Sequence, residues 1–136
     1  MITKPIPYGR QHITDEDIQC VIDALKSDYL TQGPKIKEFE EAFASYVGCK
    51  YAIAVNNATA GLHLAATALD VNLGDKVIVT PLTFAASANC IRFRGGEVVF
   101  CDVEEDTYLM DIKKLSRLLS QSPKGTYKAI VLVDCA

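Results

Sequence analysis

The sequence has no excess of basic charge, no paired-cysteine spacing and no glycine fingerprint for a nucleotide. Its 136 residues carry 14 Lys and Arg against 17 Asp and Glu, a net charge of −3. A nucleic-acid partner needs surplus cations to neutralise phosphates, so the charge balance argues against one. The five Cys stand at 20, 49, 90, 101 and 135 with no C-x-x-C pair. That odd, scattered set reads as free thiols in a reducing compartment, not as a disulfide framework or a zinc site. Only two His are present, His12 and His63, and neither has a His or Glu at ligand spacing, so no metal site is expected. The opening Met1–Pro7 lacks the apolar stretch of a signal peptide, which points to the cytoplasm. Tyr51–Leu69 has no charged side chain, but Asn56, Asn57, Thr59, Gly61 and His63 break its apolar character, so no membrane span is expected. Neither G-x-G-x-x-G nor G-x-x-x-x-G-K-[ST] occurs. Gly95-Gly96 precedes a strand and reads as a turn, and Lys124-Gly125-Thr126 lacks the first glycine of a phosphate loop.

What is present is an apolar content of 49%, enough to exclude intrinsic disorder. Thr14 reads as a helix cap, with Asp15, Glu16 and Asp17 in the first turn, where the helix dipole favours acids. Ile18, Val21, Ile22 and Leu25 then fall on one helical face. A polar break ends at Gly33. Pro34 opens a second helix with Ile36, Phe39, Phe43 and Tyr46 on one side, and Gly48 closes it. From residue 51 the pattern alternates between short apolar runs and helical stretches. Strands are expected at Tyr51–Val55, Lys76–Thr80, Glu97–Asp102 and Tyr127–Asp134. Helices are expected at about Thr59–Leu69 and Phe84–Arg94, and after Asp111 through Ile112, Leu115, Leu118 and Leu119. Strands alternating with helices define an α/β fold with a parallel sheet and flanking helices on both faces. The last strand lies two residues from the final position, which reads as one piece of a larger protein.

Two segments carry candidate chemistry. Val55–Leu62 (VNNATAGL) sits where a strand is expected to give way to a helix, and the free N–H groups of a helix start suit an anion. Ala58, Ala60 and Gly61 allow close approach and Thr59 adds a hydroxyl. The plainer use of Asn57 or Thr59 is as a helix cap. Val79–Asn89 (VTPLTFAASAN) opens on the same carboxyl edge, where ligands of open α/β sheets bind. There Thr83 is expected to cap the next helix, and Phe84 to stand in its first turn, available to stack on a planar ligand or to fill the core. Asp102 and Asp134 end strands and serve equally as functional carboxylates or as loop caps. Asp102–Asp106 reads as a solvated turn.

Several motifs occur together and in order: Tyr8–Ile13 (YGRQHI), Leu25–Pro34 (LKSDYLTQGP), Phe39-Glu40, Asn56–Ala60 (NNATA), Gly74–Ile78 (GDKVI), Thr80–Asn89 (TPLTFAASAN) and Phe100–Asp102 (FCD). In this combination the chain resembles the amino-terminal part of the DegT/DnrJ/EryC1/StrS sugar aminotransferases. The resemblance covers essentially all of the chain and implies the first part of the large domain of a fold-type I pyridoxal-phosphate transferase. It divides the chain into residues 1–50, a helical segment with a substrate loop, and 51–136, the start of the cofactor-binding α/β domain.

That resemblance also implies roles. Pyridoxal 5′-phosphate would rest its phosphate on the Ala58 and Thr59 amides and the Thr59 hydroxyl, with Phe84 stacked on its ring. Tyr8, Asp28, Tyr29, Leu30, Thr31 and Asn57 would line the nucleotide-sugar pocket. The substrate implied is a UDP-linked 4-keto-6-deoxy sugar of pseudaminic acid synthesis, with glutamate as amino donor and a homodimer as the working form. The family's cofactor-bonding Lys, in an S-x-x-K context, and the acid facing the pyridine nitrogen lie beyond residue 136. No residue here is therefore expected to be catalytic, and the chain alone is expected to be inactive. Other readings are a related 4-keto-sugar aminotransferase or dehydrase, a non-catalytic scaffold fragment, and a nicotinamide-binding domain, the last disfavoured by the absent glycine fingerprint.

Overall fold

The computed structural model describes Pro7 and residues 9–134, which fall into two compact units divided between Ala54 and Val55. The first unit carries two helices, α1 (Asp15–Leu25) and α2 (Pro34–Val47). Thr14 starts α1 through a reciprocal capping box. Its hydroxyl accepts the Asp17 amide at 3.2 Å, and the Asp17 carboxylate accepts the Thr14 amide at 2.8 Å. The Thr14 amide, and next the Thr14 hydroxyl donating to the same carboxylate at 2.8 Å, hold the Asp17 carboxyl below the usual carboxylate range. Pro34 occupies the first turn of α2, and Gly48 ends the helix in the left-handed region at φ 71°.

The second unit contains α3 (Ala58–Ala68), β1 (Lys76–Val79), α4 (Ala86–Phe93), β2 (Glu97–Phe100), α5 (Ile112–Ser120) and β3 (Tyr127–Val131). The three strands form a parallel sheet in the order β2-β1-β3. The chain steps from β1 to β2 through α4, then back across β1 to β3 through α5. Reversing direction with crossovers of the usual hand places these helices on opposite faces.

Packing follows that arrangement. On one face Val71, Val77, Cys90 and Ile91 bury themselves with Ala66, flanked by Leu62, Val98, Ala129 and Val131. On the other Ile78, Cys101 and Met110 close against Val99, Leu115, Leu118 and Tyr127. The central strand is covered from both sides: Val77, Ile78 and Val79 retain 1%, 0% and 0% exposure. Burial of each is worth about 1.5–3 kcal/mol. An irregularity between Lys76 and Val77 shifts the β3 register, so that Lys76 faces Tyr127 while Val77 faces Ala129. Asp111 caps α5 by accepting the Lys113 and Lys114 amides at 2.8 and 3.0 Å.

Two expectations are corrected. Tyr51–Val55 is not a strand among the described residues: it has extended but unpaired backbone, and Tyr51, Ile53 and Val55 are exposed. A strand needs a partner as well as apolar, β-prone residues. Here the Ala54 amide donates instead to the Glu40 carboxylate of α2 at 2.8 Å. Thr83 does not cap α4 either, since Ala85 takes the cap position with no side-chain bond. Phe84 accordingly precedes the helix instead of standing in its first turn.

Candidate functional site

The two helices on one sheet face start at the same edge. α3 leads through a short loop into the beginning of β1, whereas α4 begins after its end. Both therefore run opposite to the strand and open at its carboxyl edge, where open α/β sheets present their binding residues. They pack together through Leu62 and Ala66 of α3 and Cys90 and Ile91 of α4. His63 meets Phe93 edge-on, ring centroids 5.7 Å apart, which makes it a packing residue.

At the start of α3 the sequence offers four amides without intrahelical carbonyls. Asn57 is the cap: its side-chain oxygen accepts the Ala60 amide at 2.9 Å, and its carbonyl accepts that of Gly61 at 3.2 Å. Neither the Ala58 nor the Thr59 amide has a partner among the described residues. Ala58 and Thr59 are both exposed. Two free N–H groups, a neighbouring hydroxyl and a positive helix end make a donor set for a dianion. Small side chains at Ala58, Ala60 and Gly61 leave the approach open. These residues fit the phosphate of pyridoxal phosphate.

Phe84 stands on the turn between β1 and α4 and is 79% exposed. Among the described residues the ring is therefore not part of a core, and its face is open to a flat ligand. The turn hangs from the buried Thr80, whose hydroxyl lies 3.4 Å from the Leu82 carbonyl oxygen.

Asp28, Tyr29, Leu30 and Thr31 belong to the first unit and lie together, exposed, on the turn between α1 and α2. The turn is tight. A Cβ on Gly33 would come within 2.9 Å of the Tyr29 carbonyl oxygen, and Gln32 adopts a left-handed φ of 54°. Ser27 Oγ bridges the carbonyls of Ala24 and Tyr29 at 2.7 and 3.1 Å. Tyr8 lies outside the described residues.

The remaining candidates have structural partners. Asp102 accepts from Lys114 at 2.8 Å and from the Val103 amide at 2.9 Å. The Lys114 bond holds its carboxyl below the usual range and raises the Lys114 ammonium in turn. Burial pushes the Cys90 and Cys101 thiols up, away from nucleophile chemistry. No cluster of three metal-ligating side chains occurs among the described residues, and no helix among them is long and apolar enough to cross a membrane. Sequence reasoning missed Ser87, a buried hydroxyl that accepts from Thr83 at 2.8 Å. Its i+4 spacing from Thr83 was the available signal.

The carboxyl edge of the parallel sheet thus carries both the start of α3, with two free amides, and the exposed Phe84. Residues 11–136 match the DegT/DnrJ/EryC1/StrS aminotransferase family, and the chain belongs to it. It is 43% identical over 132 residues to the UDP-4-amino-4,6-dideoxy-N-acetyl-β-L-altrosamine transaminase of Campylobacter jejuni, covering 96% of this chain and 34% of that protein. Spr1654 of Streptococcus pneumoniae, described as a sugar aminotransferase and solved in its PLP form, superposes with a TM-score of 0.78 at 38% identity, over 82% of this chain and 29% of that one. Helicobacter pylori PseC, an aminotransferase involved in the biosynthesis of pseudoaminic acid, gives 0.81 at 30% identity, over 95% and 34%. The chain spans about a third of the length of the curated relatives it matches.

Proposed function

We propose that this chain is the cofactor-cradling, amino-terminal part of a nucleotide-sugar aminotransferase. The protein would convert a UDP-linked 4-keto-6-deoxy sugar to its 4-amino form with glutamate as donor. The observation that carries the reading is the pair of free amides at Ala58 and Thr59, left open by the Asn57 cap at the edge that also presents Phe84. The PLP form of Spr1654 and the altrosamine transaminase support the cofactor and the substrate class.

In this reading the two amides and the Thr59 hydroxyl bind the phosphate, and Phe84 lies against one face of the pyridine ring. Tyr8, Asp28, Tyr29, Leu30, Thr31 and Asn57 are assigned to recognition of the sugar nucleotide, Asn57 through its side-chain amide nitrogen. Pyridoxal phosphate, when bound, supplies an electron sink that lets an amino group leave one carbon and join another. The residues of this chain orient that ring; the proton-carrying Lys is contributed from elsewhere in the protein. The working form is a cytoplasmic homodimer. Its self-association is supported by exposed Ile18, Val21 and Leu25 on α1 and Phe39 and Phe43 on α2.

The test is turnover by the intact protein with a UDP-4-keto-6-deoxy sugar and glutamate. The expected products are the 4-amino sugar nucleotide and 2-oxoglutarate in equal amounts. Release of 2-oxoglutarate with no aminated sugar would overturn the substrate assignment. No spectral change on adding pyridoxal phosphate would overturn the cofactor.

A further inference from the structure

Phe84 is largely exposed, yet its carbonyl is held from two sides. The Ser87 amide donates to the Phe84 carbonyl oxygen at 3.0 Å. Thr83 Oγ1 lies 3.3 Å from the same oxygen and donates to Ser87 Oγ at 2.8 Å. The residues on either side of the Phe84 carbonyl are thus tied to each other by a side-chain bond that closes over it. Ser87 is the fixed end: it is buried at 8% exposure, and its carbonyl accepts the Cys90 thiol in the core at 3.2 Å.

Thr83 is spared the ordinary duty of its residue type, because α4 begins at Ala86 without a side-chain cap. Its hydroxyl is spent on Ser87 instead. A phenylalanine side chain has only two rotatable bonds, so a fixed backbone leaves the ring few directions. With Phe84 79% exposed in this chain, packing among the described residues does little to fix the ring. The restraint contributes where the ring must meet a flat ligand at a set angle, because ordering it beforehand removes an entropy cost from binding.

We propose that Thr83 and Ser87 are positioning residues that clasp the Phe84 turn and set the ring for stacking on the cofactor. This rests on the reading of Phe84 as the stacking residue. Neither hydroxyl needs to touch the cofactor.

The experiment uses the intact protein stripped of cofactor, with pyridoxal 5′-phosphate as the probe. Free pyridoxal phosphate is achiral, so visible circular dichroism arises only when the site holds it in a fixed orientation. Thr83→Val keeps the shape and removes the hydroxyl. It is expected to weaken cofactor binding by about three- to tenfold, as for one lost hydrogen bond, and to lower the visible ellipticity at saturation. Thr83→Ser is expected to restore both. Ser87→Ala should match Thr83→Val, and the double variant should be no worse than either single one, because both remove the same bond.

Phe84→Leu separates the two ideas. If Phe84→Leu loses ellipticity while Thr83→Val keeps it, the clasp is overturned and stacking stands. If Phe84→Leu changes nothing, the stacking reading fails and the clasp with it. A Thr83→Val protein with a lowered unfolding midpoint but unchanged saturated ellipticity and affinity would show a merely structural bond and overturn the proposal.

Discussion

The Asn57 side-chain oxygen accepts the Ala60 amide at 2.9 Å, and by taking that donor it defines which amides of α3 stay free. A cap that reached the second helical amide instead would have consumed Thr59. Capping and anion binding therefore divide one set of four donors between them.

Asn57 should separate stability from phosphate affinity. Asn57→Ala removes the cap and is expected to cost about 1 kcal/mol of stability. Asn57→Asp keeps an acceptor and favours the helix dipole. In the proposed site it also sets a negative charge beside the phosphate, so it should hold or raise the melting temperature while weakening pyridoxal phosphate binding about tenfold or more. Thermal melts and a cofactor titration on the same proteins check this. An Asn57→Asp variant with parental cofactor affinity would remove the phosphate from this helix end.

Thr59→Ala should weaken pyridoxal phosphate through one charge-assisted bond, an effect of about tenfold. Pyridoxal without its phosphate should bind parent and variant equally. Equal losses for both ligands would show that Thr59 acts on something other than the phosphate.

Acid should loosen two exposed carboxylates in a predictable direction. Asp17 and Asp102 both have carboxyls lowered on folding, by the Thr14 bonds and by Lys114 respectively. A lowered folded pKa stabilises the fold above the unfolded value and is lost as pH falls through the folded one. Melting temperature should therefore drop more steeply as pH falls below about 4 for the parent than for Asp17→Asn or Asp102→Asn. Parallel acid limbs for all three would contradict the assignment.

Gly96 reports on packing rather than on turn geometry. A Cβ there would lie 2.9 Å from both Ile91 Cγ2 and Val71 Cγ1, two side chains buried to 1% exposure. Gly96→Ala should cost about 1–3 kcal/mol, the range for overpacking. A denaturant titration would show it as a lower midpoint with an unchanged slope.

Much of this arrangement is legible in the residues because the cues are local. Thr14 with Asp17, Pro34 with Gly48, and Asp111 before Ile112 each mark a helix end by chemistry confined to one turn. The β1 run KVIV and the helix that follows it are similarly plain. What escapes local reading is anything defined by a partner. Tyr51–Val55 has strand-like residues, but strand formation needs a second backbone in register, and Glu40 takes the Ala54 amide instead. Thr83 looks like a cap, yet the turn after β1 carries the helix start on to Ala85, and the hydroxyl finds Ser87. In the candidate site, the helix-start amides were foreseeable from NNATA, whereas the exposure of Phe84 was not. Its spacing also fits a core residue, and it is the turn after β1 that leaves the ring exposed in this chain.

β1 has neighbours along both edges and helices over both faces, so its peptide groups meet water only when the whole unit opens. In deuterium exchange Val77–Val79 should be the last to take up label. The loop bearing Phe84 continues directly from this slow-breathing strand. A rim attached to such an anchor keeps its aim while its own side chains change, so a lineage can alter what it recognises without rebuilding what it stands on.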